Sequence, residues 1–204
     1  MLILGIESAT SQVGCAIGGH EGVLASAHSS RGKRHAENLT PQIDFIRKQA
    51  RIELDEISVV AVDIGPGLYT GLRVGVAAAI SVAFGLGIPM IGVSSLDLIA
   101  YPVRHCPKLI VAAIDARRGE IFHASYRQVP AGIQRVTDPI VSSPEDLSAE
   151  LQAQKNETLL VGDGALRYAD HFSDLKRVEA ADPGLAYPSA ASLVQLAHAK
   201  ALRE

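Results

Sequence analysis

Apolar residues come in short runs along this chain, each closed by glycine or by a polar turn. "MLILGIE" (1–7), "VGCAIGG" (13–19) and "GVLASAHS" (22–29) are β-type runs. "SATSQ" separates the first two, and Gly18, Gly19 and Gly22 signal a hairpin between the others. In "AENLTPQIDFIRKQAR" the period changes. Leu39, Ile43, Ile46 and Ala50 recur at i, i+4, i+7 and i+11, which predicts a helix over 36–51 with one apolar stripe. Pro41 falls in its first turns, where a missing N–H does least harm. "ISVVAVDIG" (57–65) is continuously apolar, as in a strand covered on both faces of a parallel sheet. A helix over 70–84 follows, ended by "GLG" and Pro89; "PMIGVSS" predicts a fifth strand and "SLDLIAYPV" a short helix.

From Lys108 the pattern restarts. "LIVAAIDA" and "EIFHASYRQV" read as strands joined by the polar "RRGE", and "GIQRVTDPI" as a third. "SPEDLSAELQAQ" predicts a helix capped by Ser142 or Ser143, with Glu145 and Asp146 in its first turn. "TLLVGDGA" predicts a strand, and "SAASLVQLAHAKALRE" a terminal helix. Both halves therefore start strand, polar turn, strand and continue into helices. The expected class is α/β, with a first lobe over 1–104 and a smaller second lobe over 105–204. The terminal helix, 189–203, is expected to be able to pack back on the first lobe.

Composition narrows the function classes. The 204 residues are 48% apolar but only 4% aromatic, so the core must be built from Ala, Val, Ile and Leu. A net charge of −3 gives no global basic field for autonomous nucleic-acid binding. Cys15 and Cys106 make no CxxC, which fits a reduced compartment. The first residues lack the positive region of a signal peptide, and no apolar run is expected to reach the ~20 residues of a bilayer span. A soluble, cytoplasmic protein without membrane contact is expected.

The stretch "DIGPGLYTGLRVG" (63–75) looks like a phosphate loop, because it joins a buried strand to a helix N-terminus. It has neither a Walker lysine nor the third glycine and later acid of a dinucleotide loop. The helix behind it is more informative. On a helical wheel Leu72, Val76, Ala79 and Ala83 form the arc expected to face the sheet, while Val74, Ala77, Ala78 and Ser81 form an opposite arc with no charge. Gly71, Gly75 and Ala79 permit a close approach. In the preceding helix, Phe45 lies off the apolar stripe between Gln42 and Gln49. Both features favour a contact with a second protein over burial within the same chain.

Other chemistry is sparse. The seven histidines form no HxxxH or HExxH, so no metal is expected, and no GxSxG occurs. Residues 31–51 hold Arg31, Lys33, Arg34, Arg47, Lys48 and Arg51 against Glu37 and Asp44, read as a solvated face rather than as a nucleic-acid rim.

Repeated lobes with an acidic turn after the first strand resemble the sugar kinase/heat-shock/actin superfamily, whose lobes are actin-like and ribonuclease H-like. There two hairpin turns grip nucleotide phosphates. Glu7, Ser8, Thr10 and Ser11 match the first turn, Asp115 the second, and Gly162 and Gly164 the adenosine-contacting turn. Arg117 and Arg118 replace the small residues such a turn needs, so the site reads as degenerate. A strand-end cap is the favoured role of Glu7, and pairing with a neighbouring arginine that of Asp115.

In order along the chain, "LGIESATS", "RHAENLTPQI", "GPGLYTGLRVG", "PMIGVSSLDLIA", "DARRGEIFHASY" and "GDGA" closely resemble the TsaB (YeaZ) family. That resemblance implies a non-catalytic scaffold of tRNA threonylcarbamoyladenosine synthesis, without a cofactor. Its partners would be the catalytic paralogue TsaD and the small ATPase TsaE, with tRNA met only through the complex. Ser95 and Ile99 stand where the paralogue carries metal-binding histidines. The implied partner surface is the pair of first-lobe helices, which also serves a homodimer when the chain is alone. On this surface Leu39, Gln42, Phe45, Ile46, Gln49, Arg73, Val74, Ala77, Ala78 and Ser81 are the expected contacts. The alternatives are a nucleotide-binding actin-like ATPase or kinase and, third, a metallopeptidase.

Overall fold

The computed structural model describes residues 1–30, 35–130 and 132–203; Arg31, Lys33 and Arg34 of the basic run lie outside them. The chain divides into two compact units, Met1–Leu98 with Pro188–Glu204, and Ile99–Tyr187.

In the first unit, β1 (Leu2–Glu7), β2 (Val13–Gly19) and β3 (Gly22–Ser29) form an antiparallel meander, and β4 (Val59–Asp63) and β5 (Met90–Val93) extend it in parallel. The order is β3-β2-β1-β4-β5. The short sheet spacing of side chains decides what covers each face. Leu4, Ile6, Val60 and Val62 point to one face, where they pack with Leu39 and Ile46 of α1 (His35–Ala50) and Ala79 and Ala83 of α2 (Tyr69–Leu86). Ile3, Val59 and Ala61 point to the other, under Leu193, Val194 and Ala197 of α6 (Ala190–Ala201). Gly5 is required there, because a Cβ would press on the Val194 side chain and the Ala190 carbonyl. Ser189 caps α6 by accepting from the Ala191 N–H, and Lys200 Nζ donates to the Gly92 carbonyl on edge strand β5.

The second unit starts within the last turn of α3 (Ser95–Ala100), which runs on into a short 3-10 turn, Tyr101–Val103. Its sheet runs β11-β10-β6-β7-β8, from β6 (Leu109–Arg117), β7 (Glu120–Val129), β8 (Gly132–Arg135), β10 (Thr158–Val161) and β11 (Val178–Ala180). The predicted third strand is in fact two. "TDP" breaks it, so β8 pairs with the far half of β7 and β9 (Ile140–Ser142) with the near half. α4 (Pro144–Ala153) starts at Ser143, whose Oγ accepts from the Asp146 N–H, and it buries Leu147 and Leu151 against Val111, Ala113 and Leu160. α5 (Asp163–Arg167) is a single short turn after β10.

α2 departs from the sequence expectation in two ways. Its 18 residues are apolar enough, by length and composition, to cross a membrane. Ala79 and Ala83 of the expected arc are buried, but Gly71 and Gly75 complete the buried stripe in place of Leu72 and Val76, which are only half-buried. Gly87, in the left-handed conformation at φ 66°, ends it by donating to the Ala83 and Phe84 carbonyls.

Candidate functional site

The first strand-end turn is filled by its own helix. Ser8 Oγ donates to the Gly71 carbonyl at 2.8 Å, and the Leu68 N–H donates to the Ala9 carbonyl at 2.6 Å. A Cβ on Gly67 would overlap the Ala9 carbonyl, on Gly71 the Ser8 carbonyl, and on Gly75 the Ser8 hydroxyl. The glycines of the 63–75 loop therefore seat α2 against the turn after β1. Thr10 Oγ1 accepts from the Gln12 N–H, and the Thr10 carbonyl lies 2.9 Å from His35 Nε2 at the start of α1. Ser11 is half-buried beside them.

Glu7 and Asp63 end the parallel neighbours β1 and β4 on the α6 face, and both are buried. Glu7 Oε1 accepts from the Ala9 N–H; Asp63 Oδ1 accepts from the Gly65 N–H at 2.8 Å and Ser95 Oγ at 2.5 Å. Glu7 Oε2 and Asp63 Oδ2 are buried without a hydrogen-bond partner among the described residues. Burial, and then the neighbouring Asp63, push the Glu7 carboxyl well above the usual carboxylate range. Burial raises Asp63 to about 7. A raised acid pKa favours the protonated folded state. The stability it contributes is complete below the unfolded pKa near ~4.5 and is lost as pH rises through the folded value. Urea midpoints should therefore fall from pH 5 to pH 9, by up to about 1.4 kcal/mol per pH unit while one proton leaves. The same series on Glu7→Gln should be flatter, and an equally steep one would rule out this pair as the source.

Sequence reading missed Asp63 and Ser95. Asp63 is hidden at the end of an apolar run, and Ser95 donates to it where a metal-binding histidine was compared; Ile99 is buried. Among the described residues no three His, Cys, Asp or Glu side chains converge as metal ligands.

The second turn is built around Asp115. Its nearly buried carboxylate accepts from the Arg117 N–H at 2.9 Å and Tyr168 Oη at 3.1 Å, and pairs with Arg117 at 3.1 Å and Arg167 at 3.3 Å. Its N–H donates to Asp163 Oδ1, and burial lifts Asp163 to about 6. Pairing with a neighbouring arginine is thus present, and Arg167 and Tyr168 join it from α5 and the residue after it. Arg117 and Arg118 hold φ of 68° and 55°, a left-handed backbone that costs a side-chain-bearing residue about 1–2 kcal/mol. Gly162 and Gly164 are explained by packing, since a Cβ at either would press on the Ala113 backbone.

The outer face of α2 lies open. Tyr69 is 74% exposed, Ile80 52% and Phe84 88%, and Ala77 and Ser81 lie among them. Arg73 stacks over the Tyr69 ring at 5.4 Å, and a shallow groove runs along Tyr69, Leu72, Arg73, Val76, Ala77 and Ile80. On α1, Phe45 is 54% exposed, Gln49 is exposed and Gln42 half-buried. Two expected contacts need correction: Leu39 and Ile46 are buried in the core, whereas Val74 and Ala78 are half-buried and pack partly against it. Tyr69, Ile80 and Phe84 were missed because the wheel was set by hydrophobicity, which ignores how deeply a glycine stripe can sink. In the described part of the basic run Arg47 pairs with Asp44 and Glu53, and Lys48 with Asp44.

A family model described as TsaD, tRNA N6-adenosine threonylcarbamoyltransferase, matches residues 23–203. The tRNA threonylcarbamoyladenosine biosynthesis protein TsaB of Escherichia coli K12 is 31% identical over 173 residues, which are 83% of this chain and 74% of that protein. The chain belongs to the TsaB/YeaZ family. An uncharacterized protein of Mycobacterium leprae is 39% identical over 72% of this chain, but the match spans only 40% of that relative. YeaZ from Pseudomonas aeruginosa has the same fold, with a TM-score of 0.86 at 24% identity, covering 99% of this chain and 92% of that one. The ROK hexokinase of Thermus thermophilus, at 11% identity and a TM-score of 0.52, covers 95% and 96%. This TsaB-family chain thus has the α/β fold of actin-like, sugar-kinase-type lobes.

Proposed function

We propose that the chain is a non-catalytic partner subunit in the synthesis of threonylcarbamoyladenosine on tRNA. It binds the catalytic paralogue TsaD, which transfers the threonylcarbamoyl group to the adenosine beside the anticodon, and the ATPase TsaE engages the pair. It works in the cytoplasm, needs no cofactor, and pairs with itself through the same helices when TsaD is absent. One observation carries this reading: the outer face of α2 exposes Tyr69, Ile80 and Phe84 with Arg73 as the single charge in that row. Exposed aromatic and aliphatic side chains around one arginine are the composition of an interface core. The role of the Escherichia coli relative in tRNA threonylcarbamoyladenosine biosynthesis supplies the partner class.

The sugar-kinase-type fold favours a second reading, a nucleotide-binding ATPase or kinase. Against it stands the first turn, whose donors are already taken: the Ser8 hydroxyl donates to the Gly71 carbonyl of α2 and the Ala9 N–H to Glu7 Oε1, rather than being left open to a phosphate. Two measurements decide. A tagged chain should retain TsaD, and TsaE in its presence, on affinity resin. Calorimetry with ATP and magnesium on the isolated chain should give no heat; micromolar binding with turnover would transfer the assignment to the second reading.

A further inference from the structure

The second unit carries a cluster of guanidinium groups that the partner role leaves unused. The β6–β7 turn places Arg118 and Gly119 at its centre with φ of 55° and 80°, and Arg117 before them at the bulge in the β6–β7 register. Such positions favour Gly, Asn or Asp. Here two successive arginines hold them. Asp115, nearly buried, fixes Arg117 through Nη1 and Arg167 through Nε, and also accepts from Tyr168 Oη. The side chains of Arg117 and Arg167 are 47% and 55% exposed, so each presents its remaining edge to solvent. Arg118 is exposed and makes no ion pair or hydrogen bond among the described residues. Two guanidinium groups held on one rigid carboxylate, beside a third that is unpaired, give three planar donor forks at one turn, where Glu120, exposed opposite Arg117, and Asp163, behind Asp115, are the other local carboxylates.

We propose that Arg117, Arg118 and Arg167 form a contact site for the phosphate backbone of RNA, reached by the tRNA substrate when it is brought to the complex. This rests on the partner role proposed above. A mononucleotide cradle works differently, because it needs small residues that let backbone N–H groups approach the anion. Here bulky side chains project from the turn, which suits phosphates that stay on the outside of a large polyanion. Contacts of this kind position RNA without reading its sequence, and they are salt-dependent.

The test is fluorescence anisotropy of a labelled, unmodified tRNA transcript with the full chain, alone and with TsaD, at several KCl concentrations. Arg118→Asn keeps a residue suited to the left-handed turn and removes the cation. It and Arg167→Gln should each weaken binding about tenfold and lower the slope of log affinity against log salt by about one. Arg118→Lys should keep most of the salt slope while losing part of the affinity. Unchanged affinity and slope in both neutral variants would overturn the proposal, as would micromolar ATP displacing the transcript only when Arg118 is present. Association with TsaD is read on the same samples by size-exclusion chromatography. A chain that binds RNA through these arginines but never TsaD would refute the partner role and leave this site standing.

Discussion

Ile80→Asp is expected to abolish binding to TsaD, and self-association in its absence, while the chain stays folded. Ile80 is half-exposed at the centre of the outer face of α2, between Ala77 and Phe84. Burying an unpaired carboxylate in an apolar contact costs at least ~2 kcal/mol, enough to lower affinity about thirtyfold or more. Light scattering and affinity capture read the loss, and circular dichroism checks the fold. Val74→Asp is the informative contrast, because Val74 packs partly on the core and its substitution should lower stability as well as binding. Undiminished capture by a folded Ile80→Asp chain would remove this face from the interface.

Gly71→Ala is expected to cost about 3 kcal/mol or more, a large share of a domain's stability. The added methyl would meet a carbonyl oxygen of the turn after β1, which cannot rotate away, and would displace the hydrogen bond from Ser8 Oγ. Gly85→Ala makes the opposite case in the same helix. A Cβ there meets nothing within 4 Å, so only helix propensity changes, and the variant should gain about 0.5–1 kcal/mol. Urea unfolding of both variants separates the effects. Equal midpoints would mean that α2 does not sit on the turn as described.

Much of the fold could be read from periodicity, and the failures have identifiable physical causes. The inner strands β1, β2 and β4 are apolar almost throughout because each face meets a different helix layer, and only edge strand β3 alternates. The tail of the predicted 132–140 strand was misread because β-type residues continue across a break that only Asp138 and Pro139 mark. β11, three residues at a sheet edge, is too short to carry a period. In α2 hydrophobicity named a face one step from the true one, since the buried row is set by close approach and glycine carries no apolar signal. At the sites, Asp115 was visible as a strand-end acid, whereas Arg167 and Tyr168 reach it from 52 and 53 residues away in sequence, a distance no local pattern spans.

The first unit is interrupted in sequence: 98 residues, then the whole second unit, then the helix that covers the sheet's other face. During synthesis the five strands emerge long before α6 exists to cover Ile3, Ala16 and Val59. With chain growth at about 5–20 residues per second, that face waits for some seconds. The intervening unit has all its strands in one continuous stretch and can complete itself first. Closing the first unit then requires a contact between residues nearly a chain length apart, such as Gly5 with Val194. The nascent chain should therefore depend on chaperones more than its size suggests, and weakening α6 should reduce soluble yield more than equilibrium stability.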